Sequence, residues 1–384
     1  MADYTKCWGV ANASIVKVNG VAAANIVKVD GATKPAAASN AMTRLALGLN
    51  DGMASWAAVD DVDTVTVWED NVHRVHGVES WEPFDIAYGE DGSGGDLWCM
   101  IKTTSANTIL HSTDSNFTNK GTWTEVTNVD HKMFTILWGN GVWIAAGVMT
   151  GHDRVWRSTD GSTWSEVDLS SITFDGDNVT ALTSDGAGNW WFGCGSKIYK
   201  STNDGQAWSE EATITVGSNG EIKDLVYTNS TVVVLYEYDD GSGTQEARAA
   251  SAAASDTTDW SSGVHLSSGG NMHFSKTNRA AAGDGRVVFI DTGTTMAADV
   301  SGKTLTIQGT RQSLPDEGNA NCIATDGDGT WWVGSDGGTS GADGGDICRS
   351  NDNGLSWSRT VHGIDEIGAG QRVESIATNQ HLPL

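Results

Sequence analysis

The side chains best suited to chemistry in this chain are acids on glycine-rich loops, paired tryptophans, and scattered tyrosines, arginines and histidines. Asp91 in DGSGGD, Asp326 in DGDG and Asp336 in DGGTSGADGGD place carboxylates on pliable loops, which is donor chemistry suited to calcium. None has EF-hand spacing, and a tight turn uses Asp and Gly for its own backbone, so these read as solvated turns and no metal is assigned. Trp190-Trp191 and Trp331-Trp332 offer rings for stacking on sugars. Adjacent strand residues point to opposite faces, so tandem tryptophans in a sheet covered on both faces read as core. The nine histidines share no ligand spacing, His73 and His76 read as a surface strand feature, and neither C-x-x-C nor H-E-x-x-H occurs, so no cofactor follows. Tyr88, Tyr199, Tyr227, Tyr236 and Tyr238 fall in strand-like segments, while Arg157 and Arg349 sit at strand ends with a cross-strand role expected. These residues do not assemble into a catalytic set, and the chain is read as a non-enzyme.

The elements that must carry these residues follow from composition. With 47 Gly, 4 Pro and 17 Trp among 384 residues, the chain suits many short strands joined by tight turns. One window, residues 36–50, spaces Met42, Leu45 and Leu49 near the helical period and predicts a short helix. A formal charge of −26, with 23 Lys and Arg spread without a cluster, excludes nucleic acid as a partner. No apolar run is long enough to span a membrane, and MADYTKCWGV lacks the cationic and hydrophobic segments of a signal peptide. Cys7, Cys99, Cys194, Cys322 and Cys348 are odd in number and widely spaced, as expected of reduced thiols in a protein folded in cytosol.

Two phrases repeat. An apolar strand beginning IAYGEDG at Ile86 returns at Ile136, Ala181, Leu225, Ala280, Ile323 and Ile376, with starts 50, 45, 44, 55, 43 and 53 residues apart. That is the size of a four-stranded propeller blade. A second phrase follows in HSTDSNFTNKGTWTEV from His111, RSTDGSTWSEV from Arg157, KSTNDGQAWSEE from Lys200 and RSNDNGLSWSRT from Arg349, with a weaker copy, ASDTTDWSS, from Ala254. Its Ser and Asp or Asn side chains accept backbone amides, its Gly permits positive φ, and its Trp folds back as a plug. The last apolar start runs out after one strand, so strands upstream, TVTVWED from Thr64 and NVHRVHGVESWEP from Asn71, are expected to complete its blade. The expected fold is an all-β propeller over residues 51–384, seven-bladed with six as the fallback, its ring closed by pairing N- and C-terminal strands.

The hairpin phrase resembles the Asp-box, or bacterial neuraminidase repeat, Ser-x-Asp-x-Gly-x-x-Trp. Ser350, Asp352, Gly354 and Trp357 match it fully; Ser201, Asn203, Gly205 and Trp208 match with Asn for Asp; Ser158, Asp160, Gly161 and Trp164 match with one residue deleted. Ser112, Asp114, Gly121 and Trp123 need an insertion. The resemblance implies a structural role for these residues, away from the ligand-binding face. It also invites a sialidase reading, which calls for an Arg-Ile-Pro motif, three substrate arginines, and a Tyr nucleophile supported by Glu. Arg-Ile-Pro is missing, and the 11 arginines are not placed as such a set.

Residues 14–35 repeat IVKVNG as IVKVDG. These strands are too short to offset their ordering entropy alone, so Ile15, Val16, Val18, Ile26, Val27 and Val29 are expected to dock on a partner. The stretch is similar to N-terminal segments of bacteriophage tail and virion proteins. The expectation is a virion structural protein, tail- or capsid-associated and folded in the bacterial cytoplasm. Residues 1–50, a hairpin and helix arm, would anchor it to other virion proteins, with the propeller displayed toward a host-surface glycan or protein. A glycan-binding adhesin module is the alternative, with a sialidase-like glycoside hydrolase ranked below it.

Overall fold

The computed structural model describes residues 83–102, 108–113, 123–129, 131–147, 155–174, 178–242, 245–266, 279–291, 293–315, 318–327, 329–336, 345–361 and 372–379. Strand backbone is described in addition at 17–18, 21–22, 28–29, 32–33, 43–49, 53–59, 65–68 and 73–74. Every regular element among these residues is a β-strand, and no helix long and apolar enough to cross a membrane occurs among them. Two compact units divide the chain, Met1–Thr43 and Arg44–Leu384.

In the first unit, β1 (Lys17–Val18) pairs antiparallel with β2 (Val21–Ala22), and β3 (Lys28–Val29) with β4 (Ala32–Thr33). The dipeptides between them, Asn19-Gly20 and Asp30-Gly31, are the pairs that favour a two-residue hairpin turn. Each copy of the duplicated phrase therefore folds on itself, giving two minimal hairpins where one hairpin was expected. Ile15, Val16, Ile26 and Val27 lie outside the described residues, and Val18 and Val29 are described as strand backbone alone.

The helix expected over 36–50 is corrected over its described part, which is β5 (Thr43–Leu49). The same leucines carry two periods: Leu45 and Leu49 fit a helix, whereas Leu45, Leu47 and Leu49 alternate as in a strand. Pairing with a distant strand decides the matter, burying Ala46, Leu47 and Gly48. Residues 44–50 thus begin the larger unit rather than ending an arm. After β5 come β6 (Met53–Val59), β7 (Val65–Trp68) and β8 (His73–Arg74).

Six four-stranded antiparallel sheets follow as blades, each beginning with its inner strand. They comprise β9 (Pro83–Glu90), β10 (Asp96–Lys102), β11 (Ile109–Ser112) and β12 (Thr124–Glu125); then β13 (Met133–Gly139), β14 (Val142–Gly147), β15 (Val155–Ser158) and β16 (Ser165–Glu166). The third has β17 (Val179–Ser184), β18 (Trp190–Cys194), β19 (Lys197–Ser201) and β20 (Ser209–Thr213), and the fourth β21 (Ile222–Thr228), β22 (Thr231–Asp239), β23 (Gln245–Ala253) and β24 (Val264–His265). The fifth has β25 (Ala280–Gly283), β26 (Arg286–Asp291), β27 (Thr294–Ser301) and β28 (Thr304–Ser313), and the sixth β29 (Ala320–Thr325), β30 (Trp331–Ser335), β31 (Ile347–Ser350) and β32 (Ser358–Val361). Successive inner strands lie side by side, and β33 (Val373–Thr378) packs against both β29 and β9.

Six blades are thus observed where seven were expected, and the strand hydrogen-bonded to β33 is β5, not either of the stretches from Thr64 and Asn71 that were expected to complete the last blade. β33 instead belongs to a sheet ordered β33-β5-β6-β7, with β8 also paired to β6.

Second strands form the core. β14 and β18 are buried at every residue, as expected when neighbouring blades cover both faces of a sheet. Trp98, Trp143, Trp190, Trp191, Trp331 and Trp332 all stand on second strands with under 2 % of their surface exposed, so the tandem pairs are packing residues with no face for a sugar. Cys99, Cys194, Cys322 and Cys348 are buried free thiols, and Cys7 lies outside the described residues.

Candidate functional site

The turns between third and fourth strands carry most of the residues singled out in the sequence. In the second blade Ser158 Oγ accepts the Gly161 N–H at 2.8 Å, Asp160 Oδ1 accepts the Ser162 and Thr163 N–H groups at 2.8 and 2.7 Å, and Trp164 Nε1 donates to Gly161 O at 2.9 Å. In the third, Ser201 Oγ accepts from Gly205, Asn203 Oδ1 from Ala207 and Gly205 O from Trp208 Nε1, each at 3.0 Å. Asn takes the place of Asp there because the turn uses a side-chain oxygen as acceptor, with one backbone N–H on Asn203 against two on Asp160. In the sixth, Ser350 Oγ accepts from Gly354 at 2.9 Å and Asp352 Oδ1 from Ser356 at 2.8 Å, while half-buried Trp357 packs on the core. The fourth blade has a reduced version in which Trp260 Nε1 donates to Thr257 O at 2.7 Å. In the first, Ser112 and Trp123 are buried, and Asp114 and Gly121 lie outside the described residues.

These turns also clip each blade to the one before it. Gly161, Gly205 and Gly354 have φ of 68°, 73° and 77°, and a Cβ at each would overlap Leu97, Ile144 and Val288 respectively, all on the preceding blade's second strand. Arg157 Nε donates to Asp204 O at 2.7 Å and Arg286 Nη1 to Asn353 O at 3.1 Å. Arg157 therefore works between blades, whereas Arg349 stacks over its cross-strand neighbour Trp332 at 5.9 Å. Partial burial of Asp160 opposes its ionisation. The N–H groups of Thr163 and Ser162 and the Ser158 hydroxyl outweigh that and hold it down at about 2.

A cavity of about 240 Å³ lies among the inner strands, lined by residues of β9, β13, β17, β21, β25, β29 and β33. Exposure grades along it. Asp85 and Asp224 are buried at its base, and a collar that includes Ile86, Ile136, Leu225 and Ile376 is buried above them. Leu137, Val226, Ala281 and Ala377 are half-buried, as are Tyr88, Trp138, Tyr227 and Thr378 beyond them. The cavity therefore opens toward the C-terminal ends of β9, β13, β21 and β33, while Thr183, Ala282 and Thr325 at the same level stay buried. The Ser-Asp-Gly-Trp turns share that end: Asn140 Nδ2, beside the β13–β14 turn, donates to Asp204 Oδ1 at 2.7 Å.

Asp85 Oδ1 and Oδ2 accept the N–H groups of Ile86 and Ile136, both at 2.9 Å. Asp224 repeats the arrangement with Leu225 at 2.8 Å and Ala280 at 2.9 Å, so each carboxylate joins its own inner strand to the next blade's. Burial pushes Asp224 up to about 7; the Ala280 and Leu225 N–H groups oppose this, and the Asp85 charge adds to it. Among the described residues no group of three or more His, Cys, Asp or Glu comes together to hold a metal; Asp91 Oδ1 accepts from the Ser93 and Gly95 N–H groups of its own loop at 2.9 Å, Asp326 Oδ1 from Thr330 N–H at 3.0 Å, and Asp336 accepts from the N–H and side-chain amide of Asn319 at 2.6 and 2.7 Å.

No protein-family model and no curated protein sequence matches the chain. Among solved structures it is similar to the WD40 beta propeller domain of Doa1, with a TM-score of 0.51 and 14% identity over 76% of this chain and 86% of that one. The chain is a β-propeller. AztD from Citrobacter koseri aligns with a TM-score of 0.48 and 12% identity, covering 88% of this propeller and 97% of its own chain. YCF48 bound to D1 peptide aligns at 0.46 and 14%, covering 73% and 81%.

Sequence reasoning missed both cavity acids of this propeller. Their signal lay in the apolar repeat, where Asp85-Ile-Ala-Tyr88, Thr135-Ile-Leu-Trp138 and Asp224-Leu-Val-Tyr227 stand in one register.

Proposed function

We propose that the chain is a bacteriophage virion structural protein, tail- or capsid-associated, that displays its propeller and is anchored through its first unit to other virion proteins. The observation that carries this reading is the division of labour along the chain. Strands from Arg44 onward pair among themselves, and the last of them, β33, finds its partner in β5. We read the β33-β5-β6-β7 sheet as a seventh blade built from both ends of the unit, which leaves residues 1–42 without a duty in the ring. The interblade turns are read as Asp-boxes with a fastening role. The chain is read as a non-enzyme. Receptor contact by one end of the propeller fits this reading, and folding in the bacterial cytoplasm fits its buried free thiols.

Particle assembly tests the proposal. A chain lacking residues 1–42 is expected to stay out of purified particles while keeping the melting temperature of the full chain. Normal incorporation of the truncated chain would refute the anchoring role. The glycan-binding alternative draws support from the aromatic mouth at Tyr88, Trp138 and Tyr227; specific glycan binding by the truncated chain would favour it.

A further inference from the structure

The inner cavity brings two kinds of chemistry together in one place, in side chains that also serve the ring: the acids join neighbouring inner strands, and the rings of Tyr88 and Tyr227 lie against Trp98 and Trp191. Tyr88, Trp138 and Tyr227, from three different inner strands, line its open end. The carboxylates of Asp85 and Asp224 line its base, with an aliphatic collar in between. Two cations lie near the acids. Arg279, the fifth blade's residue at the level of the acids, sends Nη1 to Ala320 O at 2.6 Å and does not line the cavity, though its charge is close enough to interact with Asp224. Lys223, the neighbour of Asp224, is taken up by Glu221 and Glu237.

A hydrated metal ion fits such a place poorly, because it needs several oxygen ligands and would lose its water against aliphatic walls. An alkylammonium ion fits well: its charge is spread over methyl and methylene groups, it is drawn to the negative faces of aromatic rings, and it complements a buried carboxylate. We propose that the cavity is a binding site for an organic monocation of the alkylammonium class, held by Tyr88, Trp138 and Tyr227 at the mouth and attracted by Asp85 and Asp224 at the base. The cavity volume accommodates one small ion of this kind. The titratable groups around it are these two acids and two tyrosines, with Arg279 and Cys322 behind them. Because burial holds Asp224 near neutrality, entry of a cation favours its ionised form, so binding tightens as pH rises through about 7. The inference does not depend on the virion reading, and failure of either leaves the other standing.

Calorimetric titration of the full chain with choline tests it, with dimethylbutanol, its uncharged carbon isostere, and glucose as parallel probes. Choline is expected to bind at least about tenfold more tightly than dimethylbutanol, with glucose showing no binding. Tyr227→Leu and Ala281→Leu, which remove a ring and narrow the cavity, are each expected to weaken choline by about tenfold or more. Asp224→Asn should do the same and flatten the pH dependence; if that variant fails to fold, the other two carry the test. Equal binding of choline and dimethylbutanol, preference for glucose, or no choline binding by the folded wild-type chain would overturn the proposal.

Discussion

The two units of this chain use β-structure in opposite ways. In Met1–Thr43 the paired elements described are two hairpins whose strands are two residues long. In Arg44–Leu384 each blade leans on its neighbours: turn glycines seat on the preceding blade, Asp85 and Asp224 reach the following one, and second strands are covered on both sides. A hairpin that small buries too little to be stable by itself, whereas blades share burial with both neighbours. The difference teaches where stability and where partner dependence should reside.

Breaking a fastening turn should have the largest effect. Trp208→Ala removes a buried ring from the third blade's turn and is expected to cost about 3–5 kcal/mol of unfolding free energy by denaturant titration. A change under about 1 kcal/mol would mean that the turn contributes little to the ring. Asp224 sharpens the contrast through pH. Its folded pKa is raised by burial from 3.8 to about 7, so the stability it contributes is fully present below about 4 and is lost as pH rises through about 7. Melting across that window should show a decline on the order of a few kcal/mol that Asp224→Asn abolishes; a matching decline in the variant would assign the slope to another group. Gly205→Ala combines a positive φ with an overlap on Ile144 and is expected to cost about 2 kcal/mol, whereas Gly20→Ala in the first unit should leave the main unfolding transition unmoved. Smallest of all, removing residues 1–42 should shift the melting temperature by no more than about 1 °C.

Much of this division could be read from residues. The Ser-Asp-Gly-Trp phrase is local chemistry: each hydrogen bond it makes within the turn spans at most a few residues, so it is visible in sequence. What was not legible depends on pairing over long distances. Thr43–Leu49 carries helical and strand periods at once, and its partner, Val373–Thr378, lies at the other end of the sequence. Asp85 and Asp224 looked like isolated acids in apolar strands, and their meaning emerges when inner strands are set side by side around one cavity. The duplicated IVKVNG and IVKVDG did not reveal that each copy would pair its own flanking residues.

The central claim is that residues 1–43 anchor and the propeller is displayed. Fusing residues 1–43 to an unrelated soluble carrier and measuring its uptake into assembling particles tests this most directly. The account predicts that the fused carrier enters particles while the propeller without those residues stays out. A carrier left in solution beside particles that still take up the bare propeller would contradict it.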